Sequence, residues 1–163
     1  IVGLPQLVLS LLSFVLNLTI LILLIKRRQL LNSNFRAHII SQTLASLGLV
    51  TVAVVIFTPV VLFSLNVPDL INIILATPDS LFYQATMFIS TAIAIERCTM
   101  FVSPKIHDLF DKGHIFFLVL PWISAFSIVS HSTSIGCYKR VDPFGLRYTY
   151  ACSHCGAYDT FLY

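Results

Sequence analysis

Charge is what this sequence has least of. Lys, Arg, Asp and Glu make up 10% of its 163 residues, against about 25% in a soluble domain. Hydrophobic residues make up 57%. So few charges cannot cover a water-facing surface, so the apolar content reads as adaptation to lipid rather than as a large interior. Glycine is scarce too, with 6 in the chain, and no phosphate-cradling loop is present. No pair of histidines stands at metal spacing on one helix. No set of nucleophile, base and orienting acid is visible, so no enzyme activity is expected. No internal repeat, low-complexity stretch or soluble domain appears. The net charge of +3 is unremarkable. No cofactor, resident metal or nucleic-acid partner is expected.

What is present is four long apolar stretches, each sufficient to cross about 30 Å of hydrocarbon as a helix. They run over residues 4–25, 37–65, 72–102 and 115–133, followed by a loop at 134–157 and a new apolar start at 158–163. Pro59, Pro78 and Pro121 fall inside spans two, three and four. Proline is tolerated inside membrane helices, where neighbouring groups satisfy the freed carbonyls. The first run is not a signal peptide in form. No basic region precedes it, and the basic cluster Lys26-Arg27-Arg28 follows it. The chain begins on Ile1 rather than Met and ends on Tyr163 in a segment turning apolar, so it is expected to be a piece of a longer protein. The sequon Asn17-Leu18-Thr19 lies mid-span and is expected to be unglycosylated.

The basic residues set the orientation. Lys26, Arg27, Arg28 and Arg36 stand between spans one and two, and Arg97, Lys105 and Lys112 around the end of span three. Residues 66–71 carry none. By the positive-inside rule, Ile1 is expected outside and loops 26–36 and 103–114 in the cytoplasm. The tail from Ser134 then faces outward, although Lys139, Arg140 and Arg147 lie in it. Cys137, Cys152 and Cys155 also lie in that tail, and an oxidising compartment favours disulfides there. Free thiols, or a zinc site using Cys152, His154 and Cys155, are the alternatives. A four-ligand site would need Cys137 as well.

Span three carries the chemistry. Asp79, Tyr83, Thr86, Ser90 and Arg97 recur at helical spacing on one face. Asp79 and Arg97 are 18 residues apart, about 27 Å along a helix. A stripe of that kind is expected to face a bundle interior rather than lipid. A blander reading has Thr86 and Ser90 bonding across helices and Asp79 meeting water at the membrane edge. The span closes on Glu96-Arg97, with Pro104 seven residues after the arginine. Charges commonly end a span, so the pair alone is a weak signal.

These features resemble rhodopsin-like G-protein-coupled receptors, whose third span ends in Asp/Glu-Arg-aromatic with a following proline. Asn17 and Trp122 are similar to polar and aromatic residues of spans one and four in that class. Cys98 replaces the aromatic residue, and SQTLASLGL in span two lacks the usual acid. A narrower resemblance covers the whole chain, to the nematode serpentine receptor class X (Srx) chemoreceptors. It rests on Asn34-Phe35, Tyr83 and Ala94-Ile95-Glu96-Arg97. In the outer loop it rests on Gly136-Cys137, Tyr138, Asp142-Pro143, Tyr148-Thr149-Tyr150 and Cys155-Gly156. Tyr/Tyr stands where Trp/Phe is commoner in that family, and Cys152 is extra.

The resemblance implies an all-α integral membrane fold, the first four helices and the start of the fifth of a seven-transmembrane bundle. It implies a chemosensory receptor in the plasma membrane, with sensory-neuron cilia as one expected address. Its partners would be a small-molecule or peptide ligand, a heterotrimeric G protein and the lipid bilayer. Asp79, Tyr83 and Thr86 become candidate ligand contacts, Asp79 falling where amine receptors carry their acid. Arg97 becomes a switch held by Glu96, with Pro104 ending the helix. Asn72 stands where most rhodopsin-like receptors have the cysteine that ties down the outer loop. Cys137 is therefore expected to pair with Cys155 instead. The rival readings are a non-signalling four-span organiser or junction protein and a transporter half. The first usually keeps both ends in the cytoplasm, and the second predicts an inverted repeat.

Overall fold

The computed structural model describes residues 3–27, 33–63, 65, 67–102, 112–141 and 148–150. Helix α1 is Gly3–Lys26. Helix α2, Ser33–Val52, continues through a π-helical turn, Ala53–Phe57, into a short α3, Thr58–Leu62. Helix α4 is Asp69–Val102 and α5 is His114–Ser134. A two-stranded hairpin follows, β1 at Lys139–Val141 and β2 at Tyr148–Tyr150. Four stretches are long and apolar enough to cross a membrane: Leu4–Lys26, Phe35–Val60, Asp69–Val102 and His114–Ser134. Large apolar side chains on α1, among them Leu12, Val15, Leu16 and Leu23, stay exposed. That suits a surface solvated by lipid.

Helix α4 is central and packs against α2, α5 and β1. Small residues bring the helices together. Ala45, Ala85 and Ala125, one from each of α2, α4 and α5, are fully buried around Ile89. Gly48 on α2 makes room for Phe82 on α4, since a methyl group at Gly48 would lie 2.5 Å from that ring. Phe82 in turn meets Trp122 of α5 edge to face, with centroids 6.3 Å apart. Hydrogen bonds replace the hydrophobic effect as glue here, because lipid is as apolar as the interior. Trp122 Nε1 donates to Ser41 Oγ at 2.9 Å, and Gln42 Nε2 to Ser90 Oγ at 3.0 Å. The cross-helix role foreseen for Ser90 is therefore real.

Proline explains the π turn. Pro59 has no N–H, and its ring crowds the preceding turn. The chain widens just before it, so that Thr58 donates its N–H to Ala53 O, five residues back. The Thr58 hydroxyl reaches the same carbonyl at 2.7 Å. Helix α4 starts earlier than the expected Asn72. The Pro68 carbonyl accepts the Asn72 N–H at 3.0 Å, and Asp69 places an acid in the first turn.

The end of α5 aims the hairpin. Gly136 adopts φ +84; its N–H bonds Thr133 O, and the Cys137 N–H bonds Ser132 O, both at 3.0 Å. That paired pattern with a left-handed glycine is a Schellman cap. The glycine in Gly136-Cys137 thus has a conformational cause. The chain then reverses into β1, which pairs antiparallel with β2 in the register Val141 opposite Tyr148. Val141 joins Phe57, Val60 and Ala76 in a second buried cluster, with Tyr148 packed against it.

Candidate ligand cleft and coupling end

The hairpin lies at the end of the bundle where α4 begins, and three contacts tie it there. Asn72 lends its side-chain amide to Val141 as a strand would. Nδ2 donates to Val141 O at 3.1 Å, and Oδ1 accepts the Val141 N–H at 2.9 Å. Lys139 makes an ion pair with Asp79 in which both side chains are about nine-tenths buried. Its ammonium also sits 3.7 Å above the ring of Tyr148. Arg140 pairs with Asp69 at 3.2 Å on the exposed rim, where such a contact contributes little. Two of the basic residues that weakened the charge count of the tail are therefore matched by acids on α4.

Asp79 was expected near the membrane edge, meeting water or a ligand amine. It is 7% exposed and already has a cationic partner. It lines a cleft of about 720 Å³ between α1 and the α2 bulge, together with Gln6, Ser10, Phe57 and Tyr148. Tyr83 and Thr86 do not line it. Tyr83 is 40% exposed, and the Thr86 hydroxyl is buried without a hydrogen-bond partner. The polar stripe on span three is thus split between buried, exposed and cross-helix roles rather than lining one surface.

At the opposite end, Arg97 and Glu96 do not pair. The Arg97 guanidinium lies 3.8 Å above the ring of Phe35, the residue that opens span two. Glu96 keeps one buried carboxylate oxygen, Oε2, without a partner. Its main-chain carbonyl accepts the Thr99 hydroxyl at 2.8 Å. Adjacent residues on a helix point about 100° apart, so a neighbour in sequence is a poor partner, whereas Phe35 on the facing helix is within reach. Pro104 and most of loop 103–114 lie outside the described residues.

Cys137 is disulfide-bonded and buried. Its expected partner Cys155 lies outside the described residues, as do Cys152 and His154. Cys98 is a free, exposed thiol. Among the described residues no three His, Cys, Asp or Glu side chains gather as metal ligands.

The residues that sequence reasoning missed are Lys139, Asn72 as a clamp, and the α1 wall of Gln6, Ser10 and Ser13. Lys139 carried a signal. It is a positive charge two residues after Cys137, in the tail expected to face outward, where positive charge is disfavoured, and such a residue calls for an acid partner.

Lipid-facing helices packed through small residues, a hairpin following a disulfide-bonded cysteine and a third span closing on Glu-Arg define a multi-pass membrane protein of the serpentine receptor class. Comparison with protein families gives the particular one. Residues 7–162 match the family described as Serpentine type 7TM GPCR chemoreceptor Srx, and the chain belongs to that family. No curated protein and no solved structure matches it.

Proposed function

We propose that this chain forms the ligand-reading end and part of the G-protein-contacting end of a chemosensory receptor. In this reading Ile1 and the hairpin face outward, and the Arg97 end faces the cytoplasm. A ligand enters near Asp79, and the response leaves through Arg97 and the loop that contains Pro104. The observation that carries it is the cleft bordered by Asp79 beneath a tethered hairpin, in a chain of a receptor family. Arg97 resting on Phe35 supplies the second half. A ligand acts by binding better to the state in which that contact is released. Phe35 takes the holding role first given to Glu96. Tyr83 and Thr86 keep a place only where the active bundle brings them to the ligand. No catalytic role is assigned. A four-span organiser or a transporter half is not favoured by the family.

The test is Arg97→Ala in the natural full-length chain, with surface amount and G-protein activation measured side by side over a panel of odorants. Loss of activation at normal surface amount is expected. Normal activation by the variant would overturn the assignment.

A further inference from the structure

We infer that the cleft between α1 and the α2 bulge takes a small uncharged amphiphile, an alcohol, ketone or ester on a hydrocarbon body, and that Lys139 withholds Asp79 from cationic ligands. The ligand class deepens the receptor reading above and depends on it only for the signalling measurement.

Among the described residues that line the cleft, Asp79 is the one carboxylate and no amine, guanidinium or imidazole joins it. Its charge is matched by Lys139, which stands outside the cleft lining and lies over Tyr148. A ligand ammonium would have to take Asp79 away from Lys139. That would leave a lysine about nine-tenths buried without a partner, a costly state in a low-dielectric site. Lys139 also competes as part of the same chain, at high effective concentration. A ligand carboxylate would meet Asp79 across the wall as a like charge. Both signs are disfavoured, and a neutral ligand disturbs neither partner.

The polar groups that remain ask for hydrogen bonds. Ser10 lines the cleft and is 7% exposed. Neither its hydroxyl nor the Gln6 amide bonds another described residue. Ser13 is already engaged by Asn17, whose Nδ2 donates to its Oγ at 3.3 Å. Ser10 and Gln6 both line the cleft, so a ligand or a water there can use their donors and acceptors. Leu9, Leu49, Val50 and Phe57 supply apolar walls. The volume, about 720 Å³, lies within the range of roughly 300–1,000 Å³ usual for small-ligand sites. One hydroxyl or carbonyl at Ser10 and Gln6, with a hydrocarbon body along the leucines, fits this arrangement.

The experiment uses the natural full-length receptor in lipid nanodiscs, with thermal stabilisation as the binding readout. The probes are four chains of matched length: octanol, nonanone, octylamine and octanoate. Octanol and nonanone are expected to bind about tenfold or more tighter than either charged probe. Lys139→Met should shift preference toward octylamine by about tenfold, because Asp79 is then unpaired. If that variant folds poorly, the exchange Asp79→Lys with Lys139→Asp restores the pair and should retain the neutral preference. Leu9→Trp fills the cleft and should abolish octanol binding while leaving unliganded stability intact.

Octylamine binding the unmodified receptor as tightly as octanol would overturn the inference. So would octanol binding that survives Leu9→Trp. A Leu9→Trp variant that loses stability without ligand would show that a further helix of the chain fills the cleft, and would overturn it too. Cleft binding without G-protein activation would sink the signalling reading alone. Activation insensitive to Leu9→Trp would sink the site alone.

Discussion

Replacing Asn72 with Ala removes the two-point clamp on the hairpin. The two bonds, 3.1 and 2.9 Å long, would each contribute about 1 kcal/mol net. Val141 is 2% exposed, so water does not readily replace the lost partners. Leaving its N–H and C=O unsatisfied raises the expected cost to about 2–4 kcal/mol. The loss is local, because the β1–β2 pairing and the Lys139–Asp79 pair still hold the hairpin. Hydrogen exchange is therefore the right assay, read on a peptide covering 137–141. Two kcal/mol corresponds to about 30-fold faster exchange at roughly 1.36 kcal/mol per tenfold. Asn72→Asp keeps the acceptor for the Val141 N–H and loses only the donor, so its effect should be smaller. Unchanged exchange in Asn72→Ala would refute the clamp. Equal effects of Asp and Ala would refute the assignment of the N–H bond.

Further outcomes follow from the packing. Gly48→Ala places a methyl group against the Phe82 ring and should cost about 1–3 kcal/mol. Thermal unfolding would read this, and Phe82→Leu should partly restore stability. Trp122→Phe and Ser41→Ala each break the same 2.9 Å bond and should each cost about 0.5–1.5 kcal/mol. The double variant should cost less than the sum, and strict additivity would argue that the bond contributes nothing. Gly136→Ala forces a Cβ into φ +84 and should destabilise by about 1 kcal/mol, read as lower thermal stability. Cys98 is free and exposed at the Arg97 end, so an impermeant maleimide should label it from the cytoplasmic side only. Labelling of Cys98 itself from outside the cell, located by peptide mapping to separate it from Cys152, would reverse the proposed orientation.

Some of this was legible in the residues because it depends on local composition. Long apolar runs specify spanning helices, since lipid leaves no other partner for backbone N–H and C=O groups. Pro59 dictated a disturbance, and Gly136-Cys137 and Glu96-Arg97 marked the two ends of the bundle. The family resemblance drew on the same short patterns, and the family match over residues 7–162 agrees with it. Partnerships were not legible in the same way. Glu96 lies next to Arg97 in sequence, yet the facing helix offers Phe35. Asp79 finds Lys139 across 60 residues, and Asn72 finds Val141 across 69.

The sequence by itself thus determined the solvent of this protein, its four spanning helices and the family to which it belongs. Only the tertiary structure decided which polar groups answer one another. Hydropathy is a sum over neighbours along the chain, whereas an ion pair or a hydrogen bond depends on a distance of about 3 Å between residues that the chain brings together only by folding.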